Sequence, residues 1–408
     1  MTQAHAAVER IFREEYGRLI ASLVRRFGDI DVAEDAAGEA LVAALQKWPE
    51  DWPETGAPPN PGGWLTTTAR NRAIDRLRRE KLREGKHEAA AMIQDDTPHE
   101  PTGVVADDRL RLLFTCCHPA LASEARIALT LRLLGGLSVA EVAAAFLVQE
   151  TTMAQRITRA KAKIKGAGIP YRVPGPADLP ERVGTVLAVL LLIFNEGYLS
   201  SGDGEPVRAE LTGEAIRLAR TLHELLPDDL EVMGLLALML LTESRRSARV
   251  RGGELVPLGE QDRGGWDRDL IAEGHALVRR CLVANRPGRF QILAAINAVH
   301  TDAPSAAATD WSQVVALYDQ LVRLDPSPIV ALNRAVAVAE LDGPEVALAA
   351  VDRLPLDGYH AWHVTRAELL RRLGRSAESR SAYDAALAAC DNTAERAYLT
   401  RRRGELVS

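Results

Sequence analysis

Cysteine is scarce in this chain. Four occur among 408 residues, Cys116, Cys117, Cys281 and Cys390, with no CxxC pair. That excludes a disulfide scaffold and makes a reducing cytoplasm the expected compartment. Nothing at the N-terminus has the order of a signal peptide. Long apolar runs are missing too: Val186 to Phe194, closed by Asn195 and Glu196, falls well short of the roughly 20 residues that span a bilayer. No membrane association is expected. Alternating β-branched runs are almost absent, so an all-α fold is expected, with strands needed nowhere. No triad, phosphate-cradling loop or paired carboxylates stand at working spacing, and the chain reads as no enzyme, without catalytic residues or cofactor. Cys116, Cys117 and His118 lack a fourth ligand at metal spacing and follow an apolar helix, so they read as buried thiols and no metal is expected.

Net positive charge is lacking as well. The 50 basic and 56 acidic residues give a pI near 5.9, below the footprint of a basic nucleic-acid binder. The distribution reverses that impression. Basic residues dominate Trp64 to Lys86 and Thr151 to Arg172, the second of which has no acid at all, whereas the excess acid lies mostly beyond Arg172. Two short basic segments are therefore the DNA candidates.

What is present is mainly helix. Residues 1–82 read as one helical unit, interrupted by a loop at Pro49, Pro53, Pro58, Pro59 and Pro61, residues a helix interior does not tolerate. Residues 83–106, acidic and poor in large apolar groups, read as a linker. A second helical unit spans 107–168. The Pro-rich GIPYRVPGPADLP stretch then makes 169–180 a second linker. Residues 181–408 read as an Ala/Leu-rich helical extension. Within it, Ala367, Leu370, Gly374, Tyr383 and Ala386 occupy the packing positions of a tetratricopeptide hairpin, Ser379 departs from that pattern, and Gly343 precedes Gly374 at about the usual period. A helical solenoid is the expected architecture.

Ser138 and Glu141 form a capping box in front of a short helix whose Val139, Val142, Ala143 and Phe146 share one face. After a turn at Gln149 and Glu150, a second helix is expected to bury Met153, Ile157, Ala160 and Ile164. About 100° per residue then gathers Thr152, Gln155, Arg156, Arg159 and Lys163 on the opposite side. This is a helix-turn-helix face fit for a major groove: Arg can fork onto guanine, Gln can pair with adenine, and Lys163 and Lys165 can hold phosphates.

In the first basic segment, GWLTTTARNRAIDRLRR, Ala69, Ala73 and Leu77 make an apolar stripe. Asn71, Asp75 and Arg78 lie opposite, with Arg70, Arg72, Arg76 and Arg79 around them. Beside Trp64, such a face can stack and hydrogen-bond an unpaired base; the indole can equally be core. Upstream, Asp31 to Trp48 reads as a helix with Asp31 and Glu34 as its capping box and an acidic edge at Glu34, Asp35 and Glu39. Asn195, Glu196, Gly197 and Tyr198 follow an apolar helix, with Gly197 either a helix stop or part of a ligand or partner pocket.

Together AEDAAGEA, GWLTTTARNRAIDRLRR and SVAEVAAAFLVQETTMAQRITRAKAKI resemble regions 2 and 4 of the sigma-70 family, in the extracytoplasmic-function subfamily that keeps only those two domains. TCCHPAL, YRVP and FNEGY resemble the group with a C-terminal tetratricopeptide-like extension. The resemblance implies domain two over 1–82 and domain four over 107–168, with core RNA polymerase and promoter DNA as partners. Asp31, Glu34, Asp35 and Glu39 would dock on the polymerase β′ clamp, and domain four would meet the β flap. Trp64, Arg70, Asn71, Arg72, Asp75, Arg76, Arg78 and Arg79 would engage the minus ten element. Thr152, Gln155, Arg156, Arg159 and Lys163 would read the minus thirty-five element. The extension would modulate activity, with a regulatory protein as its possible partner. Two departures stand out: Gly38 replaces a customary Gln in the docking helix, at about 1 kcal/mol of helix propensity relative to Ala, and Leu147 stands where the turn usually carries Gly. An ordinary helix-turn-helix regulator with a repeat-type sensor domain is the competing expectation; it would need no strand-capturing helix.

Overall fold

The computed structural model describes residues 3–52, 56–84, 104–146, 148–199, 207–390 and 392–406. These form eighteen α-helices and one short β-hairpin. They divide into two compact units, Met1–Leu190 and Leu191–Ser408.

The first unit begins with α1 (Gln3–Phe27), α2 (Ile30–Asp51) and α3 (Pro61–Glu84). Alanines repeating along one side of α2, Ala33, Ala37, Ala40 and Ala44, are fully buried and let its neighbours approach closely; Leu19, Ile20, Leu23, Leu65 and Trp48 fill the space around them. Removing the Trp48 side chain would cost about 3–5 kcal/mol. The next helices are α4 (Val104–Cys116), α5 (Ser123–Leu133), α6 (Val139–Ala145), α7 (Glu150–Gly166) and α8 (Leu179–Tyr198). Cys116 and Cys117 are fully buried thiols, as their apolar setting suggested. Burial pushes the Cys117 thiol up to about 11.

Two local expectations need correction in this unit. The cap of α2 is Asp29, whose carboxylate accepts the amides of Asp31 and Val32. Gly28 closes α1 in the left-handed region, so the helix restarts two residues before the expected box, and Asp31 sits within the first turn. Glu34 is thereby freed for tertiary contacts. Pro49 does not end α2, which continues to Asp51; it falls in the last turn, where little helix remains to be disrupted. Pro61, by contrast, opens α3 at the position where a missing amide costs nothing. The expected linker falls mostly at 85–103, outside the described residues, as does Leu147.

The second unit holds the end of α8 and α9 (Ala209–Leu225), α10 (Leu230–Glu243), α11 (Arg268–Ala284), α12 (Arg289–Asp302) and α13 (Trp311–Leu324). They are followed by α14 (Pro328–Leu341), α15 (Pro344–Val351), α16 (His360–Arg372), α17 (Ser376–Ala388) and α18 (Thr393–Gly404). Every residue from Val232 to Glu243 is buried, so α10, apolar on all sides, is the central helix packed by α9, α11 and α12. A two-residue hairpin, β1 (Val250–Arg251) with β2 (Glu254–Leu255), interrupts the all-α pattern where no strand was expected. Its turn is a Gly252-Gly253 pair, a dipeptide that favours hairpins by itself. Gly197 lies in the last turn of α8, and a Cβ there would stand 2.6 Å from the Thr212 amide and 2.9 Å from the Arg208 carbonyl; the N-terminus of α9 requires its bareness.

Near the end of the chain, α14 with α15 and α16 with α17 form successive helical hairpins turning at Gly343 and Gly374, both at positive φ. Ala367, Leu370, Tyr383 and Ala386 are fully buried between the helices. Ser379 is buried as well, its hydroxyl donating to the Ala367 carbonyl at 2.9 Å. A serine fits where alanine is customary because that hydrogen bond satisfies its one polar group.

Candidate nucleic-acid interface

The expected helix-turn-helix consists of α6 and α7. Ser138 accepts the Glu141 amide at 3.1 Å and the Glu141 carboxylate accepts the Ser138 amide at 2.7 Å, completing the capping box. On α7, Met153, Ile157, Ala160 and Ile164 are the buried residues. Thr152, Gln155, Arg159 and Lys163 are exposed, and Arg156 is half-exposed. None of the three cations forms an ion pair among the described residues, so their guanidinium and ammonium donors are available. A convex helix carrying unpaired Arg and Lys beside Gln and Thr can enter a major groove and donate to base edges and phosphates.

On α3, Ala69 and Ala73 are buried, whereas Asn71, Arg72, Asp75, Arg78 and Arg79 are exposed. Trp64 is half-exposed and meets buried Trp48 edge-on at 5.5 Å, so one side of the indole is held by the core and the rest faces outward. Arg72 and Arg76 turn toward α2: Arg76 pairs with Asp35, and Arg72 lies 3.8 Å from Glu39. Arg79 donates to the Asp75 carbonyl. Two of the expected DNA cations thus neutralise two of the expected docking acids.

The other two docking acids face α7. Lys161 pairs with Asp31 at 2.8 Å and also with Glu34, which Arg132 of α5 contacts at 2.7 Å; Lys165 lies 3.0 Å from Asp29. Burial opposes the charge of Lys161, but Glu34 and Asp31 outweigh it and hold the ammonium above its usual range. Tyr16 donates to Glu34 at 3.4 Å beneath the Arg132 guanidinium. The Tyr171 hydroxyl lies 2.7 Å from the Ala21 carbonyl and 2.9 Å from that of Asp108, whose buried carboxylate pairs with Arg25 of α1. These contacts clasp the α1–α3 bundle to the α4–α7 bundle. Of the four acids expected to dock, the clasp covers Glu34 only; Asp31 and Asp35 stay exposed and Glu39 half-exposed.

Lys161, Arg132 and Asp29 escaped the sequence reading. Lys161 carried a usable signal, since at about 100° per residue it stands only about 40° from Ile157 and so borders the buried stripe of α7. Lys165, expected to hold phosphate, is exposed and also pairs with Asp29. No helix among the described residues is long and apolar enough to cross a membrane.

Residues 11–83 match the model of Sigma-70 region 2, residues 111–164 match Sigma-70, region 4, and residues 182–282 match a family of unknown function, DUF6596. A Rhizobium meliloti (strain 1021) protein described as uncharacterized protein R00370 is 44% identical over 399 residues, which cover 95% of this chain and 93% of that relative. No solved structure matches the chain.

Proposed function

Because the chain belongs to the sigma-70 family, as an extracytoplasmic-function type sigma factor with an additional C-terminal domain, and its regions 2 and 4 serve promoter recognition and transcription initiation, we propose a division of labour among its helices. The α7 face of Thr152, Gln155, Arg156, Arg159 and Lys163 reads the minus thirty-five element. On α3, Asn71, Arg78 and the outer side of Trp64 capture the melted minus ten strand, with Arg70, Arg72, Asp75, Arg76 and Arg79 around them. Asp31, Glu34, Asp35 and Glu39 on α2 dock on the polymerase β′ clamp, and domain four meets the β flap. The tetratricopeptide-like extension modulates output through a protein partner.

The observation that carries this reading is the state of α7: its apolar stripe is buried and its cationic face is open and unpaired. Tethering by polymerase explains how an acidic chain recognises DNA, because two modest basic faces act at high effective concentration once docked. The clasp adds a condition. Glu34 reaches polymerase only after Lys161 and Arg132 release it.

Permanganate footprinting tests the strand-capture role. Asn71→Ala and Trp64→Ala should form closed complexes normally but lose reactive thymines at the minus ten region, since their partners are unstacked bases worth about 1–3 kcal/mol each. Thermal melting controls for Trp64, which also packs on Trp48. An intact bubble in folded forms of both variants contradicts the assignment.

A further inference from the structure

Three consecutive helix ends of the second unit bring an imidazole, a thiol and a carboxylate together. His360 opens α16, Cys390 follows the end of α17, and Glu395 lies in the first turn of α18. Their ligand atoms all lie within 4.8 Å of one another. His360 Nε2 is 3.0 Å from Glu395 Oε1, and Cys390 Sγ is 3.7 Å from Glu395 Oε2. Cys390 is buried, and the other two are largely so.

The tautomer follows from the neighbours. His360 Nδ1 stands 3.0 Å from the Ala386 carbonyl, which can only accept, so Nδ1 carries the proton. In the neutral ring Nε2 then presents a lone pair on the side of Glu395 and Cys390. A carbonyl fixing the far nitrogen is the arrangement that orients a ligating imidazole. The loop that carries Cys390 is also held: Arg396 donates to the Leu387 and Cys390 carbonyls at 2.6 and 2.7 Å. Asn392 caps α18 through the Glu395 amide at 3.0 Å, fixing the backbone of the third donor.

We propose that His360, Cys390 and Glu395 form a binding site for a thiophilic divalent transition metal of the zinc type. One nitrogen, one sulfur and one carboxylate oxygen suit such an ion, whereas magnesium and calcium take oxygen sets. Three protein donors leave one tetrahedral position for water or an exogenous ligand. The bound ion joins the ends of α16, α17 and α18. The competing occupant is a proton: hydrogen bonds to Cys390 and Glu395 push the His360 ring up to about 10, so the same anionic niche attracts either cation.

Cobalt titration of the chelator-treated full chain at neutral pH distinguishes the two. The proposal expects one cobalt per chain, with thiolate-to-cobalt charge transfer and tetrahedral d–d absorption, displaced by zinc. Cys390→Ser and His360→Gln should each weaken binding at least tenfold, and zinc should raise the melting temperature of the parent chain but of neither variant. Glu395→Gln, which keeps size and hydrogen bonding, provides a third variant in case one of the others fails to fold by circular dichroism. No thiolate band under excess cobalt overturns the proposal. So does a band that persists in Cys390→Ser, since it would belong to Cys116, Cys117 or Cys281.

Discussion

Arg156 and Arg159 project from the side of α7 opposite its buried stripe, and neither is tied to a carboxylate among the described residues. Their donors would be exchanged from water to base edges without breaking an internal ion pair. Replacing both with Ala should relax selectivity at the upstream promoter element by about 1–3 kcal/mol per contact while leaving polymerase affinity unchanged. Competition binding of holoenzyme to matched and mismatched promoters measures the first quantity, and titration of core polymerase the second. An equal loss in both would contradict a base-reading role. This face was legible in the sequence because helical periodicity alone sorts Met153, Ile157, Ala160 and Ile164 from the residues between them. The roles of Arg72 and Arg76 were not: their partners on α2, Glu39 and Asp35, lie on another helix far upstream, and no local period signals a contact between two helices.

At the scale of elements, α2 carries two sets of constraints. Its alanine face packs in the α1–α3 bundle, while its acidic edge is shared between arginines of α3 and the Lys161–Arg132 pair of the second bundle. Lys161→Glu would set a like charge against Asp31 and Glu34 and should open the clasp. Hydrogen exchange in α2 and α7 should accelerate, and core polymerase should bind at least several-fold more tightly because Glu34 is released. Unchanged exchange and affinity would show that the clasp does not gate docking. The capping box of α6 was readable in four consecutive residues. That of α2 was misplaced because Asp29 and Asp31 are both plausible caps, and the left-handed Gly28 that selects Asp29 is a backbone fact. The ends of α16, α17 and α18 were illegible as a site for a related reason: His360 and Cys390 are thirty positions apart in helices that read only as solenoid packing.

For the molecule as a whole, the extension exceeds half the chain, more than a passive tail requires. A chain ending at Tyr198, confirmed as folded by circular dichroism, should change transcription output at least several-fold relative to the full chain. Unchanged output would make the extension a passenger. All-α architecture and the order of the two basic helical units were evident from periodicity and charge distribution, whereas the small hairpin at Val250–Leu255 depended on a glycine pair too short to register as a strand signal. The central claim, that this chain directs initiation, is tested most directly by run-off transcription with purified core polymerase lacking every other sigma factor. Adding the chain should yield discrete transcripts whose start sites follow two promoter elements at fixed separation; no discrete start above core polymerase alone would contradict it.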